Sequence, residues 1–202
     1  MTEQVYKDLL EVMKSRRGAY AGMDIPEFFE LVEVLFTPQE AEINNALRPK
    51  PAAAGDIAKE MGRNEDEISG ILDAMADKGL CKTFVQNGVR LFQGVPFIPG
   101  IFEYQFMDGQ TTERHKQIAG LIHAYEQAYE AAKGKKKMTF PVSRVIPVDR
   151  TISAGNTVHT YDQVATYIDK HENIAVGTCY CRHAAQLRDE DVHGNHIDNL
   201  SD

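Results

Sequence analysis

Two cysteines one residue apart, Cys179 and Cys181, are the residues of this chain whose types and spacing best suit chemistry. Thiolates bind zinc, copper(I) and the iron of iron–sulfur clusters. Two histidines, His193 and His196, follow within the next 15 residues. Tetrahedral zinc accepts mixed sulfur and nitrogen ligands, so these side chains could form a zinc-like site. The pattern therefore predicts a metal-binding segment in which both cysteines and both histidines are candidate ligands.

The alternative is that the two thiols have no function, because their spacing is not that of a standard zinc finger. The third cysteine, Cys81, follows Leu80 at the start of a predicted strand. A lone cysteine in such a place is usually a small buried hydrophobe, so we assign it no role. The sequence shows no nucleophile–base pair, phosphate loop or catalytic carboxylate pair. We therefore expect at most an electron-transfer component, not an enzyme on its own.

The segment before the cysteines predicts how they are positioned. The apolar run 174–176 predicts a short buried strand that ends at Gly177 and delivers both thiols just past its end. Residues 144–148 predict another strand, and a capping box at 160–163 begins a helix between the two. Residues 138–202 are therefore expected to form a small α/β module that carries the Cys-x-Cys segment.

Residues 1–108 carry the pattern of a winged-helix domain. Apolar residues at helical spacing predict three N-terminal helices, and residues 52–79 predict a helix-turn-helix. A β-hairpin over residues 80–93 follows at once, because Asn87 and Gly88 form the strongest short hairpin signal. Helices followed directly by a hairpin favour a winged-helix-like domain.

Residues 109–137 connect these two parts. They predict a long helix over 111–132 and a solvated basic linker at 133–137. The helix carries one apolar stripe, which predicts either a spacer between domains or a seam between two chains. The expected fold class is α+β, with a mainly helical winged-helix domain, a long connecting helix and a small α/β C-terminal module.

Charge argues against binding to nucleic acid. The 202 residues include 22 basic and 30 acidic side chains, for a net charge of −8. The predicted recognition helix, residues 64–78, carries five acidic residues and one basic residue. A helix in the major groove runs beside two phosphate backbones, which would repel it. We therefore expect the winged helix to dock a protein partner or to pair two chains.

Composition predicts a cytoplasmic protein. No apolar run approaches the roughly 18 residues of a membrane span, and the first residues do not form a secretory signal. Three cysteines, two of them in Cys-x-Cys, do not form a disulfide framework. Such thiols fit a reducing compartment.

Two stretches carry a resemblance to a known family. They are Ile-Ala-Val-Gly-Thr-Cys-Tyr-Cys-Arg-His at 174–183 and Phe-Pro-Val-Ser-Arg-Val-Ile-Pro-Val at 140–148. With the winged-helix pattern before them, the chain resembles the 4Fe-4S ferredoxin-type iron–sulfur proteins of anaerobic bacteria and archaea. The resemblance implies that Cys179 and Cys181 are cluster ligands, that the cofactor is an iron–sulfur cluster, and that the partner is a redox protein.

The chain departs from the family pattern after these cysteines. His193 and Leu200 stand where two further cysteines are expected, and His196 replaces a proline. The sequence ends at Asp202, before the ferredoxin-like domain that normally follows. Such clusters are normally held by four thiolates. Three explanations remain: a shortened member without clusters, a site for another metal such as zinc, or the N-terminal part of a longer protein.

The expected function is that of an iron–sulfur or other metal-binding accessory protein in anaerobic electron transfer. The winged helix would serve as a docking or dimerisation unit, so a homodimer is possible. The alternative is a winged-helix transcriptional regulator that senses metal or redox state through the same thiols.

Overall fold

The computed structural model describes residues 2–16, 18–134, 165 and 168–189. Within this part of the chain, eight helices accompany one three-stranded antiparallel sheet. The predicted α+β class is confirmed. Among these residues, no helix combines the length and the hydropathy that crossing a membrane would require.

The helices begin and end close to the positions that local signals indicate. They are α1 (Thr2–Ser15), α2 (Pro26–Leu35), α3 (Pro38–Ala46), α4 (Ala54–Met61), α5 (Glu65–Asp77), α6 (Ile101–Tyr104), α7 (Glu113–Lys133) and α8 (Tyr180–Leu187). The Thr37 side chain accepts from the Glu40 amide, and the Glu40 carboxylate accepts from the Thr37 amide, which forms a capping box at the start of α3. The Asn64 side chain caps α5 by accepting from the amide of Glu67.

The sheet is built around the predicted hairpin. Its strands are β1 (Ala52–Ala53), β2 (Lys82–Gln86) and β3 (Val89–Gln93), in the order β1-β3-β2. Asn87 and Gly88 both have positive φ, as the tight turn between β2 and β3 requires. The hairpin is confirmed. Helix α3, strand β1, helices α4 and α5 and then the hairpin follow the order that the winged-helix interpretation expects, and that interpretation stays a prediction.

A guanidinium inside the fold ties helices α1 and α3 to the segment after the hairpin. Arg16 donates to Asn44 Oδ1 at 2.6 Å and to the backbone carbonyls of Asn44, Leu47 and Val95 at 2.7, 3.2 and 3.1 Å. Burial lowers the pKa of Arg16 to about 10, so its side chain is still charged at neutral pH. Four acceptors compensate the burial of this charge, because they replace the water that it loses.

The apolar stripe of α7 belongs to the chain's own core. Ile118, Ile122 and Tyr125 are buried, and α7 packs against α2 and α8. Tyr125 joins a group of aromatic rings with Phe28, Phe97 and Phe102. This face of α7 is therefore occupied within one chain, which excludes the predicted seam between two chains at these residues. Homodimer formation elsewhere stays a prediction.

The Cys-x-Cys segment belongs to the helical part of the chain. Described residues 2–133 and 178–189 form one compact unit, which we call the helical unit, and the described residues between 134 and 177 belong to a second. This grouping differs from the predicted boundary at 138, because it places Cys179 and Cys181 with the helices on which α8 packs. The physical reason is the apolar face of α8, which is buried against helices far earlier in the sequence.

The predicted buried strand at 174–176 is wrong. Residues 173–179 have no regular secondary structure, and Ile174 and Val176 are 58% and 95% exposed. A β-branched apolar run favours a strand only where a neighbouring strand accepts its hydrogen bonds, and the structure pairs no described strand with it. The predicted strand at 144–148 and the capping box at 160–163 lie outside the described residues.

Candidate metal centre

Cys179 and Cys181 lie at the beginning of helix α8, and both are exposed. Cys179 is the residue before the helix and has an extended backbone, with φ −66° and ψ 108°. Its carbonyl accepts the first helical hydrogen bond, from the amide of His183 at 3.0 Å. Cys181 lies in the first turn. Both thiols are therefore held by a regular turn of helix and open to solvent.

One face of α8 anchors the cysteines to the helical unit. His183, Ala184 and Leu187 are buried, and the helix packs against α6 and α7. These positions lie on one side of a helix because side chains three and four residues apart share a face. Cys181 and Arg182 are exposed instead. The packing thus fixes the helix while leaving the sulfur atoms accessible.

His183 makes the most specific contact of this buried face. Its Nε2 lies 2.8 Å from the carbonyl oxygen of Gln110, and its ring meets the Phe106 ring at 6.5 Å between centroids. A carbonyl only accepts, so Nε2 must carry the proton and donate. This nitrogen is engaged in anchoring α8. Sequence reasoning assigned His183 no role, although its helical spacing with Ala184 and Leu187 was a signal for a buried face.

The residue before Cys179 docks on the loop between α6 and α7. The amide of Thr178 donates to the carbonyl of Met107 at 2.9 Å. Gly109 in the same loop has φ +73°, and a Cβ on it would lie 2.7 Å from Thr178 Oγ1. Only glycine combines this backbone conformation with so close an approach. The loop between α6 and α7 therefore packs closely against Thr178, the residue that precedes the cysteines.

Tyr180 lies between the two cysteines. The neighbouring Cys181 thiol, then burial and the nearby carboxylates of Glu103 and Glu126, raise the pKa of Tyr180 above its ordinary value. The hydroxyl is thus protonated at neutral pH. Burial also raises the pKa of Glu126, against the opposing effects of neighbouring cations. The side chains of Tyr180 and Glu126 therefore share an environment in which burial and neighbouring negative charge favour their neutral forms.

Cys81 lies in a different environment from the other two cysteines. It is 3% exposed, and its sulfur lies 3.9 Å from the carbonyl of Leu72. Burial raises the pKa of Cys81 to about 12. The expectation of a small buried hydrophobe is confirmed, and this thiol is unsuited to binding metal at neutral pH because the thiolate is the ligand.

The structure describes only two of the four predicted metal ligands. Cys179 and Cys181 both lie exposed at the beginning of α8, whereas His193 and His196 lie outside the described residues. Among the described side chains, no group of three or more histidine, cysteine, aspartate or glutamate residues could hold a metal ion. No family model, curated protein or solved structure matches the chain. The resemblance to 4Fe-4S ferredoxin-type proteins stays a prediction.

The donor chemistry of the segment fits part of a soft-metal site. Two accessible thiols could supply two of the four thiolates that an iron–sulfur cluster normally takes, or two of the four ligands of zinc. Further ligands would have to come from residues outside the described part of the chain or from another chain. Exposure at the surface suits either source, because nothing in the helical unit covers the sulfur atoms.

Proposed function

We propose that this chain is an iron–sulfur or other metal-binding accessory protein in anaerobic electron transfer. Cys179 and Cys181 are ligands of the metal group, and His193 and His196 are candidates to complete the set. The alternatives for the group are an iron–sulfur cluster and zinc.

One observation carries this proposal: two thiols lie one residue apart in an exposed turn, and hydrogen bonds to the loop between α6 and α7 hold that turn in place. His183 bonds the Gln110 carbonyl at 2.8 Å and Thr178 bonds the Met107 carbonyl at 2.9 Å. These contacts limit how far the Cys-x-Cys turn can move. A site held in advance loses less conformational entropy when a ligand binds.

The chain's own residues hold the group at the surface and leave it accessible to a partner. An iron–sulfur cluster, when bound, supplies one-electron transfer, whereas zinc supplies only structural cross-linking.

The hairpin supports a docking role for the helical unit. Val85 and Val89 flank its turn and are 69% and 49% exposed. Apolar side chains at an exposed tip gain free energy when a partner covers them. We propose that a redox partner, or a second copy of this chain, docks at this end.

DNA binding is the weaker proposal because neighbouring acids engage two of the basic side chains of this region. Arg90 of the hairpin pairs with Asp73 at 2.9 Å, and Lys78 pairs with Glu40 at 2.6 Å. The first turn of α5 carries three acidic residues and no base. Affinity for DNA comes mostly from cations on phosphates, so this surface supports the transcriptional regulator less well.

The test is metal analysis of protein purified without oxygen. We expect the wild-type chain to hold iron with acid-labile sulfide, or zinc, and the double variant Cys179→Ser/Cys181→Ser to hold neither. Cys81→Ala is the matched control and should keep the metal content of the wild type, because Cys81 is buried away from the turn. Equal metal content in the wild type and the double variant would contradict the proposal.

Iron and zinc lead to different conclusions. Iron with sulfide and a broad visible absorption band would support electron transfer, whereas zinc alone would support a structural site. Absence of both from the wild type would leave an interaction protein without metal chemistry.

A further inference from the structure

The three cysteines fall into two chemical classes. Cys179 and Cys181 are exposed and one residue apart, whereas Cys81 is enclosed in the core. Thiol–disulfide exchange requires that a thiolate reach the sulfur of its partner, so access decides which cysteines react. The chain therefore has one pair of reactive thiols and one inert thiol that serves as an internal control.

The backbone places the two reactive cysteines within bridging distance. Residues two apart in sequence span at most about 7 Å between Cα atoms, and the helical turn that begins at Tyr180 shortens that span. A disulfide requires roughly 4.4–6.8 Å between Cα atoms. Cys179 precedes the helix with an extended backbone, so helical φ and ψ angles do not fix its position relative to Cys181.

We propose that Cys179 and Cys181 form a redox-active dithiol that exchanges with small-molecule disulfides of the glutathione type. The proposal concerns the metal-free chain and does not depend on the metal-binding function. It makes the Cys-x-Cys turn a site of reversible oxidation.

The exchange proceeds in two balanced steps. One cysteine thiolate attacks a sulfur of glutathione disulfide, the disulfide bond breaks, and one glutathione thiolate leaves. The second cysteine thiolate then attacks the cysteine sulfur of the mixed disulfide, and the second glutathione leaves. The protein loses two electrons and two protons, and one glutathione disulfide becomes two glutathione thiols.

Oxidation and metal binding exclude each other at this site. A sulfur bonded in a disulfide is no longer a thiolate, and the thiolate is the metal ligand. An oxidised chain would therefore be unable to load metal until a dithiol reductant restored both cysteines. In a reducing compartment the reduced dithiol form, which can bind metal, would predominate.

The experiment is a redox titration of the full chain, freed of metal by a chelator. The protein is equilibrated without oxygen in mixtures of reduced and oxidised glutathione, trapped with an alkylating reagent and weighed by mass spectrometry. We expect the wild type to lose the mass of two hydrogens, with the bridge mapped to Cys179 and Cys181, and to recover on addition of dithiothreitol. Cys81→Ala should titrate like the wild type.

The single variants separate an internal bridge from simple adduct formation. Cys179→Ser and Cys181→Ser should each stop at the glutathione adduct, because no second thiol resolves it. In the wild type the neighbouring thiol acts at an effective concentration of at least the order of millimolar. With reduced glutathione kept about tenfold below that concentration, the adduct fraction should be at least about tenfold lower than in the single variants. A stable adduct on the wild type, a bridge that involves Cys81, or a chain that stays reduced at every ratio would overturn the proposal.

Discussion

At the scale of the residue, burial decides what each titratable or reactive side chain can do. Cys81 and Cys181 have the same functional group, yet one is enclosed in the core and the other faces solvent. Burial raises the pKa of Cys81 to about 12, which removes its reactivity at neutral pH. His183 is likewise buried, and its ring nitrogen anchors a helix instead of facing solvent.

The first prediction concerns this anchor. His183→Ala removes the donor to the Gln110 carbonyl and the ring that packs on Phe106. We expect the free energy of unfolding to fall by about 1–3 kcal/mol, because a buried acceptor loses its partner and a cavity remains. Urea denaturation measures the change. Arg182→Ala, on the exposed face of the same helix, should change stability by no more than about 0.5 kcal/mol.

The second prediction concerns Glu40 and acid. Burial raises the pKa of this carboxyl, but hydrogen bonds from Lys78 at 2.6 Å and from the Thr37 amide at 2.9 Å outweigh it, so the pKa lies below 4.5. A lowered folded-state pKa stabilises the protein above the unfolded value, and this stability is lost as pH falls through the folded value. Glu40→Gln should therefore be less stable than the wild type at pH 7.

The pH dependence of the stability difference between the wild type and Glu40→Gln provides the control. Urea midpoints of the wild type and Glu40→Gln should converge as the pH falls below the folded-state pKa of Glu40, which lies under 4.5, since the carboxyl is then neutral in both the folded and the unfolded state. A difference that stays constant from neutral to acidic pH would show that the charge of Glu40 does not contribute.

At the scale of the element, helix α8 depends on a loop that is distant in sequence. The loop between α6 and α7 accepts hydrogen bonds from Thr178 and His183. With only eight residues, α8 is too short to be stable by itself in water. Its order therefore comes from packing on α6 and α7, and the position of the cysteines follows from that packing.

The third prediction tests this loop. Gly109→Ala places a Cβ 2.7 Å from Thr178 Oγ1 at a residue with φ +73°. We expect a loss of about 1–3 kcal/mol and faster hydrogen exchange at the Thr178 amide, because the strain is relieved by undocking. Gly70→Ala is the control: no atom lies within 4 Å of its Cβ on helix α5, so it should stabilise the chain by about 0.5–1 kcal/mol. Unchanged exchange at Thr178 in Gly109→Ala would contradict the docking role.

At the scale of the whole molecule, the net charge of −8 constrains the partner. An acidic protein is steered toward basic surfaces, and this steering weakens as ionic strength rises. The proposed redox partner should therefore carry a basic docking face. Metal binding also acts at this scale, because a ligand that binds only the folded chain stabilises all of it.

The fourth prediction uses this linkage. Zinc added to the reduced, metal-free chain should raise its unfolding temperature, with a gain of about 2.7 kcal/mol when zinc is at 100 times its dissociation constant. The double variant Cys179→Ser/Cys181→Ser should show no rise, and magnesium should have no effect on either chain because it prefers oxygen ligands. An equal rise with zinc in the double variant would place the metal away from the cysteines.

The sequence by itself determined the features encoded within a few neighbouring residues. Asn87 with Gly88 formed the hairpin turn as predicted, and the local caps Thr37 with Glu40 and Asn64 begin α3 and α5. The spacing of Cys179 and Cys181 was likewise read from the sequence, whereas their exposure came from the structure. These signals work because a cap or a tight turn is satisfied by atoms that are close in the chain.

Only the tertiary structure decided which surfaces are buried. The run 174–176 was predicted to be a buried strand and is exposed, whereas Arg16, to which the sequence analysis assigned no role, is held by four acceptors inside the fold. The anchor of the cysteine turn joins His183 to Gln110 across 73 residues. Burial depends on partners so far away in sequence that no local pattern specifies them, and chain folding alone brings them together.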